Sequence, residues 1–338
     1  MEADRTSRCW WSWRGCAALA LLVGATGCGP PAQAEAAVPR LGAAQAVYRD
    51  DVGDPFVLTV PAGTAGDQSG HYVLLWTTDW RSNVPAAVSS DLVHWRRTDD
   101  ALPVLPGWAT ASRTMTWAPT ALQVGDGWVL WYSTQEASSG LQCLGVAVAR
   151  TPEGPYTDRS SEPFLCQRSL GGDIDPSVTR DESGRPSLTW KNDGNARGVS
   201  TSLWQQSLSP DGLSVVGEAH RLLGVDQPWQ HGIVEGPAML ARTGGGWWLF
   251  YSAGVWQSNT YSTGVAACET LAGPCRATST GPLLSTRPGV VSPGGLETFT
   301  DLGGRLRASF SAFPREPASL AAAMAEERVL EIATVEGQ

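Results

Sequence analysis

Three carboxylates stand at matching corners of this sequence: Asp54 in VGDPFVL, Asp175 in GDIDPSV and Glu235 in VEGPAML. Each is followed by proline, directly or after one glycine, and each precedes an aromatic run by roughly 10 to 20 residues. If they converge, one can donate a proton to a leaving oxygen while another draws a proton from water, which is what cleavage of a glycosidic bond needs. A third carboxylate nearby would hold the donor protonated, because like charges in a dry site raise each other's pKa. A single Asp before Pro is an ordinary turn residue; it is the matched positions that give the set a chemical meaning. Asp50 and Asp51 compete with Asp54, but Asp54 directly precedes the apolar run FVL. Asp173 competes with Asp175, and strand alternation puts both on one face.

Other residues near these corners could touch a ligand. Trp117, in WAPTAL, could stack beneath a sugar ring or pack between sheets. Trp229 and His231, in DQPWQHGIVEGP, lie just upstream of Glu235 and are expected near the same opening. Lys191, Asp193 and Asn195 are expected in a solvated turn, Asp91 and Trp95 at a turn, and His94 in a structural role.

The elements that must position these groups are strands. HYVLLWTT (71–78), WVLWYST (128–134), PSLTWKN (186–192), WWLFYSAG (247–254) and RLRASFSAF (305–313) are short apolar runs bounded by Gly, Asp or Ser. They recur at roughly 50 to 60 residues. Several are followed by a second such run: PAAVSS (85–90), GVAVAR (145–150) and TGVAAC (263–268). Helix-forming composition is confined to 317–328. Five units of about four strands each predict an all-β, five-bladed β-propeller, with RVLEIATV (328–335) closing the fifth blade. A two-sheet sandwich would not explain the period. In a propeller the innermost strands line a central channel, so acids at the starts of three of them would meet at one end.

Composition narrows the partners. With 24 basic against 33 acidic residues, nucleic acid is a poor fit. Sixteen Trp against six Phe and six Tyr suits a chain with some indoles on sugar and most in a core. Arg5, Arg8 and Arg14 followed by CAALALLV (16–23) read as an export signal too short to span a bilayer. ATGC, ending at Cys28, resembles a lipobox with Cys28 as the lipidated residue; an A-x-A site at 32–34 is the alternative. The expected organisation is a signal over 1–27, a flexible tether over 28–45 and one propeller over 46–338. Of seven Cys, Cys9 and Cys16 fall in the signal and Cys28 at the lipobox. Cys143, Cys166, Cys268 and Cys275 remain, an even set suited to an oxidising compartment. Cys268–Cys275 would bridge one hairpin and Cys143–Cys166 would form the other pair, the alternative being four buried thiols. Without a CxxC, a zinc site is not expected.

In combination, GDPFVL, SSDLVHW (89–95), WAPTAL (117–122), GDIDPSV, LTWKNDGN (188–195) and VEGPAML resemble glycoside hydrolase family 43, from about Val47 to Val335. The resemblance implies a five-bladed propeller that inverts anomeric configuration. It implies Asp54 as general base, Glu235 as general acid and Asp175 as the residue that tunes and orients Glu235; together with the following Pro it selects Asp175 over Asp173. Base and acid would then stand about 6.5–9.5 Å apart, leaving room for water. It further implies an arabinose- or xylose-containing plant-type glycan, with α-L-arabinofuranosidic linkages first and β-xylosidic second. Two alternatives remain: a non-catalytic carbohydrate-binding lipoprotein, and a retaining fructan-type hydrolase. Many members carry a His in a GxGH-like stretch of the fifth blade, near a central ion. Here the stretch reads SPGGLETF (292–299), so no required metal and no cofactor are expected, with Ca²⁺ on water or backbone oxygens as the alternative. A monomer outside the cell, touching membrane only through a lipid anchor, completes the expectation.

Overall fold

The computed structural model describes residues 37–64, 69–319, 322–323 and 327–337. The export signal, Cys28 and the A-x-A site lie outside the described residues. Two short strands, β1 (Arg40–Leu41) and β2 (Gln45–Arg49), come first and join a sheet completed by the end of the chain. Four sheets then follow in sequence order. They are β3 (Phe56–Val60), β4 (His71–Leu75), β5 (Ala86–Ser89) and β6 (Arg96–Arg97); β7 (Thr116–Val124), β8 (Gly127–Gln135) and β9 (Gln142–Ala149); β10 (Asp173–Arg180), β11 (Pro186–Asn192), β12 (Ser202–Leu208) and β13 (Val215–Gly224); and β14 (Val234–Ala241), β15 (Trp247–Ala253), β16 (Ser262–Cys268) and β17 (Cys275–Ala277). The fifth contains β18 (Val291–Thr300), β19 (Leu306–Phe313) and β20 (Val329–Glu336), with β1 and β2 both pairing with β20. All pairings within these sheets are antiparallel meanders.

This is the expected propeller. The five aromatic runs became β4, β8, β11, β15 and β19, the second strand of each blade. They read as continuous apolar runs because both faces are covered: β11 and β15 are buried at every position. Each face packs on a neighbouring blade. Leu75 meets Leu130 and Tyr132; Trp131 meets Leu188 and Trp190; Leu203 meets Leu249 and Tyr251; Trp248 and Phe250 meet Phe310; and Leu330 and Ile332 meet Tyr72, Leu74 and Trp76. The last of these clusters joins the fifth blade to the first, so the ring is closed. At about 1.5–3 kcal/mol per large buried side chain, these five seams are the main source of stability. Trp76, Trp131, Trp190 and Trp248 are fully buried in them, which accounts for part of the tryptophan excess.

Two expectations need correction. Residues 40–45 were assigned to a flexible tether, yet β1 and the start of β2 are hydrogen-bonded to β20. The second blade has three strands, its outer edge reduced to the isolated bridges Leu144–Leu165 and Val148–Thr157. Within 317–328, where composition favours helix, residues 322–323 are helical among the described residues. Both expected disulfides are present: Cys143–Cys166, and Cys268–Cys275 across the β16–β17 pair. Among the described residues no helix is long and apolar enough to cross a membrane.

Candidate active site

The start of each innermost strand carries one distortion. Ladder register breaks at 117/120, 174/177, 235/238 and 294/297. Within each break sits a residue in the left-handed region: Ala118 (φ 43°), Asp175 (φ 56°), Gly236 (φ 53°) and Gly295 (φ 62°), with Asp54 (φ 48°) at the same place ahead of β3. Such a conformation costs a non-glycine residue about 1–2 kcal/mol. In four blades a proline follows directly, at Pro55, Pro119, Pro176 and Pro237. These residues form a ring around the channel, enclosing a small cavity of about 30 Å³.

Above the ring, at the end where the inner strands begin, lies a cavity of about 490 Å³ lined by Asp54, Asp175, Glu235 and Trp117, with Lys191 and Tyr261 between them. The three acids therefore meet. Their positions are not fully equivalent, however. Asp54 and Asp175 occupy the left-handed corner itself, whereas Glu235 precedes the corner residue Gly236 by one. The longer Glu side chain thus enters the cavity from a different step of its blade.

Each acid is held differently. Thr77, just beyond β4, accepts the Ala118 amide at 3.0 Å and donates its hydroxyl to Asp54 Oδ2 at 2.5 Å. Among the described residues nothing hydrogen-bonds to Asp54 Oδ1. Asp175 Oδ2 accepts the Gly236 amide at 2.9 Å, and its own amide bonds to Ser133 Oγ at 3.0 Å. Asp175 thereby ties the second, third and fourth blades together. Glu235 receives Tyr261 OH on Oε1 at 2.7 Å and Lys191 Nζ on Oε2 at 2.9 Å.

Two cations flank the acids, Lys191 buried and Arg328 partly buried. Lys191 is 1% exposed and also lies 3.7 Å from Asp193. Burial alone would lower its pKa, but the charges of Glu235, Asp175 and Asp193 outweigh burial and raise it. Arg328 pairs through Nε with Asp51 at 2.9 Å and lies over Gly53, where a Cβ would fall 2.1 Å from the guanidinium. Burial, followed by the charges of Glu235 and Asp51, pushes the Asp54 carboxyl up, while Arg328 and Thr77 resist. Asp175 is pushed well above the usual range by burial and then by Glu235, against the pull of Lys191. Tyr261 is raised well above its ordinary value by burial and by Glu235.

The remaining candidates divide. Trp117 lines the cavity, its indole anchored to Thr114 O at 3.1 Å. Trp229 and His231 do not line it. Trp229 stacks on Tyr251 with ring centroids 5.9 Å apart, against the cluster joining the third and fourth blades. His231 is the exposed left-handed residue ending the turn Pro228–Gln230. Lys191 is the largest departure: expected in a solvated turn, it is a buried β11 residue on the proposed acid. Asp193 and Asn195 line the cavity beside it. Asp173 is turned away from the cavity and fully buried, accepting the Trp190 indole and the Gln167 amide; burial pushes it to about 7. Asp50 is held by Arg81 and Arg97. Asp91 accepts the amides of Val93 and His94 and bonds the His94 ring, as its turn role required. Thr77, Tyr261, Arg328 and the 79%-exposed Trp80 at the cavity rim were not foreseen.

No side chain enters the channel from the fifth-blade corner. Gly295 offers no ligand, and a Cβ there would stand 2.9 Å from Asp54 Cα and 3.0 Å from its Oδ1, leaving no room for an imidazole. Among the described residues, the one group of three metal-type ligands with ligand atoms within 4.8 Å of one another is Glu136, Cys143 and Cys166, whose sulfurs form a disulfide.

The family model for glycosyl hydrolases family 43 matches residues 46–317. The chain belongs to this glycoside hydrolase family. A β-D-galactofuranosidase of Aspergillus niger is 28% identical over 204 residues, 56% of this chain and 54% of the relative. An extracellular endo-α-(1→5)-L-arabinanase of Thermotoga petrophila is 27% identical over 194 residues, 47% of this chain and 39% of the relative. The chain thus matches about half or less of these relatives' length. The crystal structure of a thermostable family-43 glycoside hydrolase superposes with a TM-score of 0.70 at 23% identity, covering 85% of this chain and 93% of the other. That likeness supports the family-43 propeller fold.

Proposed function

We propose that this family-43 chain is an exported, inverting glycosidase acting on furanosidic glycans, first among them α-L-arabinofuranosides. The observation that carries the reading is the unequal holding of two acids across one cavity. Asp54 has one oxygen fixed by Thr77 and the other free of hydrogen bonds, which suits a base that must accept a proton from water. Its raised pKa strengthens it as a base. Glu235 is aimed by two donors, and Lys191 has a second partner in Asp193 to turn to when Glu235 carries a proton. In the reaction, water loses a proton to Asp54 and attacks the anomeric carbon; Glu235 protonates the departing oxygen. Asp175, favoured in its neutral form, bridges the blades that carry Glu235 and keeps a third negative charge out of the site.

The sugar class follows from chemistry. A pentose linked through O5 must close its ring through O4, so an α-(1→5)-arabinan is built of furanose rings. Galactofuranose shares that ring size. Relatives named for both linkages support a furanoside in the cavity, with β-xylosides as the second choice. Two disulfides fit delivery to an oxidising, extracellular compartment, with a lipid anchor at Cys28 as the proposed attachment. Turnover is proposed to need no metal, so a chelator should leave the rate unchanged.

Proton NMR of the first product anomer, on a panel of arabinofuranoside, galactofuranoside, xyloside and linear arabinan, tests the proposal. Inversion is expected, with Glu235→Gln slower by about 10² or more on unactivated substrates. Retained configuration, or an unchanged rate in Glu235→Gln, would overturn it.

A further inference from the structure

Two residues beyond the fifth-blade corner, Glu297 enters the channel from β18. It lines the small cavity beneath the corner ring together with Asp54 and Asp175. This cavity of about 30 Å³ holds roughly one water molecule. Its wall is otherwise apolar or backbone: Phe56, Leu296 and the corner prolines. Among the described residues no lysine or arginine lines it. Glu235 and Tyr261 point into the larger cavity above, and Arg307 on the adjoining β19 is paired with Asp301. The groups that interact with the Glu297 carboxyl are the Ser177 side chain and the Thr298 backbone. Ser177 belongs to β10, so this contact crosses the channel between the third and fifth blades, which are not neighbours.

We propose that Glu297 stands as a neutral carboxylic acid that plugs the channel and braces β18 against β10, making it a positioning residue for Asp54 and Asp175. The positions it controls are adjacent ones. Ser177 is two residues from Asp175. Glu297 follows Gly295, which packs on Asp54, and its register partner Ser309 bonds Pro55 O at 3.1 Å. An ionised Glu297 would add a negative charge to a small cavity that Asp54 and Asp175 already line and that no described lysine or arginine lines. Burial accordingly pushes the carboxyl from 4.5 to about 8, against Ser177 and Thr298. The effect on activity rests on the catalytic roles proposed above; the effect on stability does not.

The sign of the pH effect follows. The folded pKa lies above the unfolded one, so Glu297 exerts no penalty below about 4.5, an increasing one up to about 8, and a constant one beyond. Glu297→Gln keeps the shape and removes the titration. Relative to that variant, the wild-type folding constant should fall as pH rises between those limits, by at most about tenfold per pH unit because Glu297 is half-buried, then level off. Denaturant unfolding of both proteins at half-unit steps from pH 5 to 9 reads this directly. In parallel, Glu297→Gln should keep wild-type kcat near pH 6 and extend the alkaline limb of the pH–rate profile, whereas Glu297→Ala should lower kcat at every pH. If Glu297→Gln does not fold, Ser177→Ala serves: losing the hydroxyl should move the upper end of the wild-type window above pH 8. A stability difference independent of pH, a Gln variant less stable throughout, or an unmoved window in Ser177→Ala would overturn the proposal. If no substrate is hydrolysed, the unfolding measurements still decide the plug and the catalytic reading alone falls.

Discussion

Replacing Lys191 by Met removes a buried charge while keeping the length of its stem. In the wild type, Nζ stands 2.9 Å from Glu235 and 3.7 Å from Asp193 at 1% exposure. Removing one member of such a pair leaves its partners buried and uncompensated, which typically costs about 3–5 kcal/mol. An exposed pair would cost less than about 1 kcal/mol. The cost should also depend on pH. At pH 8 the orphaned carboxylates must lose their charge or bury it unpaired; at pH 5 protonation is cheaper, so the deficit should shrink. Asp175 sharpens the effect, since burial and Glu235 already push it up and Lys191 is what pulls it down. Urea unfolding followed by tryptophan fluorescence at pH 5 and 8 gives the numbers, with an unchanged m-value confirming that the native fold is compared. With Glu235 no longer aimed, kcat should fall on the order of 10²-fold. A loss below about 1 kcal/mol at pH 8, or equal losses at both pH values, would refute the reasoning.

Other perturbations have separate outcomes. Thr77→Val leaves Asp54 without its donor and the Ala118 amide without its acceptor; stability should fall by about 2–4 kcal/mol and kcat with it, measured by unfolding and steady-state kinetics. Trp80→Ala removes an exposed indole at the cavity rim; KM for arabinan oligosaccharides should rise severalfold, while kcat/KM for a nitrophenyl monosaccharide stays the same. Replacing Cys143 and Cys166 together by Ser opens a closure of 23 residues and should cost about 3 kcal/mol, more than the same change at Cys268 and Cys275, separated by 7; calorimetry would rank them.

Much of the fold was legible because the second strand of each blade is covered on both faces, leaving five largely apolar runs at a regular period. The three acids were legible through the prolines that mark the corners. The corner itself was not. Alternation put Asp173 and Asp175 on one face, but the left-handed residue at 175 resets the pleat, sending Asp173 to Trp190 and Asp175 to the channel. The same distortion hid the one-residue offset of Glu235. Lys191 could have been flagged as a charge inside PSLTWKN, a strand with no other; its proximity in sequence to Asp193 and Asn195 suggested a turn instead. Trp229 misled because nearness in sequence to Glu235 is not nearness in space: a turn and a strand start separate the two, and the indole points between blades. Arg328 and Thr77 carry no local signal, since their partners Asp51 and Ala118 are set by ring closure and blade packing.

The fifth blade draws strands from both ends of the chain, with Gln45–Arg49 and Arg40–Leu41 paired to Val329–Glu336. During delivery from the N-terminus, by a ribosome or through an export channel, β1 and β2 therefore stay unpaired until Val329–Glu336 arrives. Four blades can form as they emerge, but the clasp has to wait for a loop closure spanning nearly the whole length. Arg328, beside Asp51 at that clasp, arrives together with β20 and is one of the two cations flanking the acids. The site is thus assembled in the same event that locks the ring, and a partly delivered chain would have the acids without the finished cavity.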